Sequence, residues 1–249
     1  MRFSGISLIH LEEVDSTNNY VADRFDELNH HTLVHADIQL AGRGRVQRRW
    51  ESHLRGNLYM SLLIKDPQAL AAGHPANFTQ LVALAARRAC ATLGVSVGVK
   101  WPNDLFVGEN KIAGILSESR YVGTNYKGVI VGIGLNIAAA PQLSSAASYG
   151  TTSIAQELGL QEVSVERFLG LFIGAYEKLY HAVLEQGFDT LADEYRDALL
   201  FTERVLRIEQ DGYSASYRFA GVGKIGELKL LREDGTAVTV NAGEVRWIP

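Results

Sequence analysis

Lys100-Trp-Pro-Asn-Asp-Leu-Phe-Val-Gly-Glu-Asn-Lys-Ile-Ala-Gly-Ile-Leu-Ser-Glu118 reads as strand, turn, strand, with two lysines, an Asn-Asp pair and a close glycine gathered around the turn. Pro102 fixes its own φ and biases Trp101 toward extended backbone, so the chain turns where Asn103 and Asp104 are presented. Lys111 arrives at the start of the next strand, beside the same opening. An ammonium, two polar side chains and a glycine converging there outline a site for anions and carboxyl groups. Plain turn chemistry accounts equally well for an Asn-Asp pair after proline. Lys100 falls on the strand face opposite Val97, Val99 and Trp101, which leaves it as either a second phosphate contact or a solvated residue.

Working outward, Val129 to Ile137 is the cleanest strand, and its faces differ in kind. Val129, Val131, Ile133, Leu135 and Ile137 point toward a core, while Ile130, Gly132, Gly134 and Asn136 share the other face. Glycine in a strand marks a bulge, tight sheet packing or the approach of a ligand; its place beside the Lys111 hairpin favours a ligand floor. Upstream, Ile6 to Val14 reads as a strand, and Asp15-Ser-Thr-Asn18 caps an amphipathic run through Tyr20, Val21, Phe25 and Leu28. Thr32–Asp37 and Asn57–Ile64 are further strands, the second buried. Phe78–Leu93 is helical with Gly94 as its stop. Helices follow from Ser164 to Val183 and from Phe188 to Leu199.

After Leu200 the pattern changes to short strands between turn signals at Gln210-Asp-Gly212, Gly221–Gly226, Glu233-Asp-Gly235 and Asn241-Ala-Gly243, the spacing of a small barrel. The fold expected is α/β of the α+β type: a mixed, mainly antiparallel sheet with helices on one side in residues 1–199, then a small β-barrel in residues 200–249.

The chain of 249 residues is 47% hydrophobic with a formal net charge of -4, which suits a sizeable core and disfavours a surface built throughout for nucleic acid. The lone Cys90 sits in an apolar helical run and reads as a small buried hydrophobe, pointing to a reducing, cytoplasmic setting. No window approaches 18 uncharged apolar residues, so no membrane partner is expected. Too little chain precedes Asp15 for a helix-turn-helix, so neither is DNA. The seven histidines show no metal-ligand spacing.

Arg43, Arg45, Arg48, Arg49 and Arg55 crowd one glycine-containing loop, where Gly42 and Gly44 let backbone wrap a ligand. No Gly-Lys-Ser/Thr follows, and the third glycine of a dinucleotide fingerprint is missing. A phosphate or carboxylate suits the loop, and so does plain solvation. Trp50 directly after it either stacks on a base or anchors the loop.

Asp15-Ser-Thr-Asn18, Gln39-x-Ala-Gly-Arg-Gly-Arg-x-x-Arg-x-Trp50, Lys100-Trp-Pro-Asn-Asp104, Lys111-Ile-Ala-Gly-Ile-Leu116 and Gly132-Ile-Gly-Leu-Asn136, in this order, closely resemble the biotin protein ligases in their short form without a DNA-binding domain. The last 50 residues are similar to that family's SH3-like barrel. The resemblance implies an enzyme that activates biotin as biotinyl-5'-AMP with ATP and Mg²⁺ and passes it to a lysine of a biotin carboxyl carrier protein. It assigns Ser16, Thr17, Asn18, Gln39, Gly42, Arg43 and Gly114 to biotin. Arg45, Arg48, Trp50, Asn103, Lys111 and Asn136 go to the nucleotide, and Lys111, Arg45 and Asp104 to catalysis. No magnesium ligands are assigned, and a homodimer through a sheet edge stays open.

Two departures accompany it. Val46-Gln47 stands where the family often has a residue followed by glycine. The C-terminus reads Gly243-Glu-Val-Arg-Trp-Ile248 where a later arginine is usual, and Arg246 lies two residues earlier on the same strand face. The rivals are a lipoate or octanoate protein ligase of the same superfamily, whose loop arrangement differs, and a noncatalytic polyanion-binding module.

Overall fold

The structure, a computed structural model, describes residues 5–45, 48–142, 149–200, 202–210, 213–241 and 243–247. The chain opens with β1 (Ser7–Val14), α1 (Thr17–Asp23), β2 (Thr32–Gln39), β3 (Leu58–Ile64), α2 (Pro67–Ala72) and α3 (Pro75–Thr92). The hairpin region follows as β4 (Gly98–Lys100), β5 (Asp104–Val107), β6 (Asn110–Val122), β7 (Asn125–Leu135) and β8 (Gly150–Thr151). Helices α4 (Ile154–Leu158), α5 (Val165–Gln186) and α6 (Ala192–Ala198) come next, with a 3-10 turn at Phe188–Leu191 before the last. Five short strands close the described chain: β9 (Val205–Gln210), β10 (Tyr213–Val222), β11 (Leu228–Leu231), β12 (Ala237–Val240) and β13 (Glu244–Trp247).

The large sheet runs β1-β2-β3-β7-β6-β5-β4, with β8 beside β6. Only β1–β2 and β6–β8 are parallel among its described pairs, so the sheet is mixed and mainly antiparallel. The period-two reading of β7 holds. Val129, Val131, Ile133 and Leu135 enter the main core beneath α3 and α5, and Ile130 faces the other way. Helix α3 ends as its sequence predicts, with Gly94 at φ +93 and Val95 N–H donating back to Cys90 O. Cys90 is fully buried, which pushes its thiol up to about 12.

Helices on one side was too simple. α1 lies on the opposite face, where Val21 and Phe25 pack on Val34, Leu63 and Ile130. The reason is that the glycine face of β7 turns apolar at Ile130, and the stripe of α1 covers that end. The stripe itself breaks after Asp23, so Phe25 is delivered from a turn.

The last five strands form an antiparallel sheet in the order β12-β11-β10-β9-β13, an open path among the described residues. Leu206, Ile208, Leu228, Leu230 and Val245 join the same core as α3 and the large sheet. Trp101 Nε1 donates to Gly226 O at 2.7 Å and Asn77 Nδ2 to Lys224 O at 3.0 Å, so the β10–β11 turn supports the segment leading into Asn103. Arg246 pairs with Arg207 in β13, but its side chain lies outside the described residues.

His30 and His31 meet the tyrosines of α5: His31 lies against Tyr176 and His30 against Tyr180. His31 holds a left-handed φ of 58, and its Nε2 meets Tyr176 Oη at 2.9 Å. Burial, then the neighbouring His30, lower its pKa to about 3 against an opposite pull from Asp66, with His181 a smaller lowering influence; burial lowers His30 as well. Because the unfolded chain takes up these protons near pH 6.5 and the folded chain does not, stability present above that pH drains away as pH falls toward 3. We expect Tm to drop between pH 7 and pH 5. His31→Asn, which tolerates the same φ, should flatten that slope in a thermal-melt series.

Candidate active site

The site is laid on one face of three neighbouring strands. In β7, Gly132 pairs with Ser61 of β3 on one side and Leu116 of β6 on the other, and Gly134 pairs with Tyr59 and Gly114. These positions share a face, and the three glycines lower it into a floor. Other groups occupy the space: a Cβ on Gly132 would strike Asn18 Oδ1, and one on Gly134 would strike the indole of Trp50. At Gly114 a Cβ would come within 3.1 Å of the same indole.

One end is polar and buried. Strand β1 delivers Ser16, Thr17 and Asn18 at the start of α1, all at most 4% exposed. Thr17 donates from its backbone N–H (2.8 Å) and its hydroxyl (3.1 Å) to Gln39 Oε1. The Ser61 hydroxyl lies 2.7 Å from Thr17 Oγ1 and 2.5 Å from Asn18 Oδ1, and its single proton serves one of them at a time. Asn18 Nδ2 continues to Glu118 Oε2 at 2.7 Å.

The arginine loop folds over this face. Its start is stitched down by Ala41 N–H to Asp15 O (2.8 Å) and Trp50 N–H to Gly42 O (3.0 Å). Gly42 has no room for a Cβ against Ser52 and Trp50 O, which is why glycine stands there. Arg43 grips Glu118, and Arg45 Nη1 donates to Asn103 Oδ1 at 2.9 Å. Arg48 is exposed, its backbone N–H bound to Arg45 O. Val46 and Gln47, where the loop departs from the family pattern, lie outside the described residues.

At the other end Asn103 is locked to β6, its Nδ2 donating to Ile115 O at 2.7 Å and its O accepting from Ile115 N–H at 2.8 Å. Lys111 Nζ is 2.8 Å from Asp104 Oδ1, in a pair whose side chains are only 14% and 15% exposed. The ammonium lies 5.3 Å from the Trp50 ring and 5.7 Å from Tyr149. Asn136 donates Nδ2 to Thr152 O at 3.0 Å. Its Oδ1 and the Trp50 Nε1 are buried with no partner among the described residues. A buried acceptor or donor left unpaired is costly where nothing else meets it.

Contacts along this face join Thr17 to Gln39, Asn18 and Arg43 to Glu118, and Arg45 to Asn103, next to the Asp104 that holds Lys111, so loop and lysine meet there; for Ser16 the structure shows burial and for Arg48 an exposed side chain. Lys100 is a correction to the solvated reading. It is 4% exposed, its Nζ 5.5 Å from the Phe106 ring and 5.3 Å from Tyr149. Sequence reasoning passed over Ser61, Glu118 and Tyr149. A lone serine in the apolar run Leu58–Ile64 was the signal for the first, and Glu118 continues the alternation Gly114, Leu116; Tyr149 carried none. No group of three His, Cys, Asp or Glu among the described residues is arranged for a metal, and no described helix is long and apolar enough to cross a membrane.

Residues 11–136 match the family model of the Biotin/lipoate A/B protein ligase family. The biotin--[acetyl-CoA-carboxylase] ligase of Paracoccus denitrificans is 34% identical over 94% of this chain and 98% of its own length. The Bifunctional ligase/repressor BirA of Escherichia coli is also 34% identical, over 64% of this chain, and the match spans about half (49%) of that relative. The biotin protein ligase from Aquifex aeolicus in complex with biotin and ATP superposes with a TM-score of 0.82 over 97% of this chain and 98% of that one, at 23% identity, a likeness of fold. The match over the segment that builds the glycine floor, the arginine loop and the Lys111 hairpin shows that this chain belongs to the biotin/lipoate A/B protein ligase family.

Proposed function

We propose that the chain is an ATP-dependent biotin--protein ligase, which joins biotin to AMP with release of pyrophosphate and then passes the biotinyl group to a lysine of a biotin carboxyl carrier protein. The observation that carries this reading is the convergence of the arginine loop and Lys111 on one floor stripped of side chains. A carboxylate attacks the α-phosphorus of ATP against like charge, so cations must cancel repulsion and hold the reactants in line. Lys111 has two N–H directions left beyond Asp104 for a carboxylate oxygen and an α-phosphate oxygen. Arg45 and Arg48 suit the spectator oxygens, because a guanidinium fork takes two at once.

The polar end, with Ser16, Thr17, Asn18 and Gln39, takes the biotin head, while Gly42, Arg43 and Gly114 line the way to its carboxylate. The base belongs at Asn136, whose unpaired Oδ1 accepts an exocyclic N–H, with Asn103 beside it. Trp50 covers Gly114 and Gly134 in this conformation, and nucleotide binding moves its indole off the floor to stack on the base. In the second step the lysine nitrogen bonds to the acyl carbon, the C–O bond to AMP breaks, and Asp104 takes the amine proton. An Mg²⁺ brought with ATP would be held mostly by the phosphate oxygens and would neutralise the departing pyrophosphate. We read residues 1–199 as the catalytic domain and 200–249 as the family's SH3-like domain.

Incubation of the pure protein with ATP, Mg²⁺ and either biotin or lipoate, read as acyl-AMP and pyrophosphate, tests the reading. Product with biotin alone is expected. Product with lipoate alone, or with neither, sinks it.

A further inference from the structure

Glu118 lies on the site face of β6, four residues beyond Gly114, and ties the arginine loop to the buried polar end. Arg43 Nη2 donates to its Oε1 at 2.7 Å and Arg43 Nη1 to its Oε2 at 3.2 Å. Oε2 also accepts from Asn18 Nδ2 at 2.7 Å, and Arg43 Nη1 reaches Asn19 Oδ1 at 2.7 Å. From Asn18 the bonds run on through Ser61 and Thr17 to Gln39. A two-pronged contact fixes the direction of the guanidinium as well as its distance, and the bond from Asn18 holds the carboxylate still to receive it.

The strength of this contact suits a part that must open. The Arg43 and Glu118 side chains are 43% and 32% exposed, so water competes for the pair and it holds only modestly. A mixed anhydride such as an acyl-adenylate has to be kept until an acceptor amine arrives, yet the site must release AMP afterwards. A fully buried pair would hold the loop too firmly for that cycle, and no pair would let the intermediate go.

Building on the ligase reading, we propose that Glu118 is a positioning residue that latches the arginine loop over biotinyl-AMP through Arg43. It touches no reacting atom. Its loss therefore changes how long the intermediate stays, with little effect on how fast it forms.

Two measurements on Glu118→Gln test this. The first follows biotinyl-AMP without carrier, taking its rate of formation from pyrophosphate and its rate of escape from a chase with unlabelled biotin. The second is limited trypsin cleavage after Arg45, Arg48 or Arg49, which reads loop opening whether or not any adenylate is made. With the melting curve unchanged, we expect formation within ~3-fold of the parent, escape faster by roughly 5- to 10-fold, and cleavage faster by a similar factor. Arg43→Lys keeps the charge without the fork and should speed trypsin cleavage by a similar factor, and the double variant should be cleaved no faster than either single one.

A folded Glu118→Gln protein with normal escape and normal cleavage overturns the latch, and so do effects of the two variants that simply multiply. If Glu118→Gln does not fold, Arg43→Lys decides by the cleavage reading: a normal rate overturns the latch. Faster cleavage in a variant of a parent that makes no biotinyl-AMP would leave the loop contact standing and remove the ligase reading instead.

Discussion

Lys111→Ala should lower biotinyl-AMP formation by ~10²-fold or more, the scale of removing one electrostatic donor from a transition state. The ammonium is confined: only 14% of its side chain is exposed, it lies 2.8 Å from Asp104, and aromatic rings of Trp50 and Tyr149 stand 5.3 and 5.7 Å away. Little water reaches it to screen the charge, which is the setting in which a fixed cation acts most strongly on developing negative charge. Alanine also strands the Asp104 carboxylate, itself 15% exposed, so part of any loss could come from a rearranged turn. Lys111→Met keeps the length of the side chain without its charge, and Lys111→Ala/Asp104→Asn removes both charges. If charge on the reacting carboxylate and phosphate is what matters, all three variants lose pyrophosphate release in single-turnover mixing, and the double variant does so while melting near the parent. Near-normal release by a folded Lys111→Ala protein would refute the role.

The parts of this site were unequally visible in the sequence. Gly132 and Gly134 stand out because a strand reports its faces through alternation, and Val129, Val131, Ile133 and Leu135 make the contrast plain. Helix α3 announces its end through Gly94. Strand order is another matter: that β3 and β6 flank β7, so that Ser61 and Leu116 sit beside Gly132, follows from pairings between segments far apart in the chain. The site face of β6 is also offset by irregular pairing at Leu105/Phe106 on one side and Arg120/Tyr121 on the other, which no local pattern reveals.

Lys100 shows the limit of alternation most clearly. Alternation puts it on the face opposite Val99, where solvent is the ordinary expectation for a lysine. Tyr149, delivered from beyond β7, closes over it instead, and with Phe106 it gives the ammonium two aromatic faces. Glu118 escaped notice because an acidic residue near a hairpin end is normally just solvated; only the fold brings Arg43 and Asn18 to it.

Gly132→Val should leave the sheet standing and weaken biotin binding by ~10²-fold, about 2.7 kcal/mol. Valine favours strand backbone, and position 132 is flanked by paired strands on both sides, so the ladder itself has no objection to it. The objection comes from the site face. A Cβ there strikes Asn18 Oδ1 and comes 3.0 Å from Asn18 Cγ, and two further methyl groups reach still deeper. Asn18 cannot step aside freely, because its amide is held by Ser61, Leu116 O and Glu118 at once. Either the valine fills the floor or Asn18 moves and takes the Thr17–Ser61 network with it, and both outcomes deform the pocket assigned to the biotin head. Overpacking of this kind also costs about 1–3 kcal/mol of stability, so a modest fall in Tm is expected beside the binding loss. Gly174→Ala in α5 is the control, since a Cβ there meets nothing within 4 Å. Titration calorimetry with biotin, run on both variants beside thermal melts, separates the two effects. A Gly132→Val protein that binds biotin as tightly as the parent would mean that the glycine floor is there for packing between elements, and that the head group of the substrate lies elsewhere.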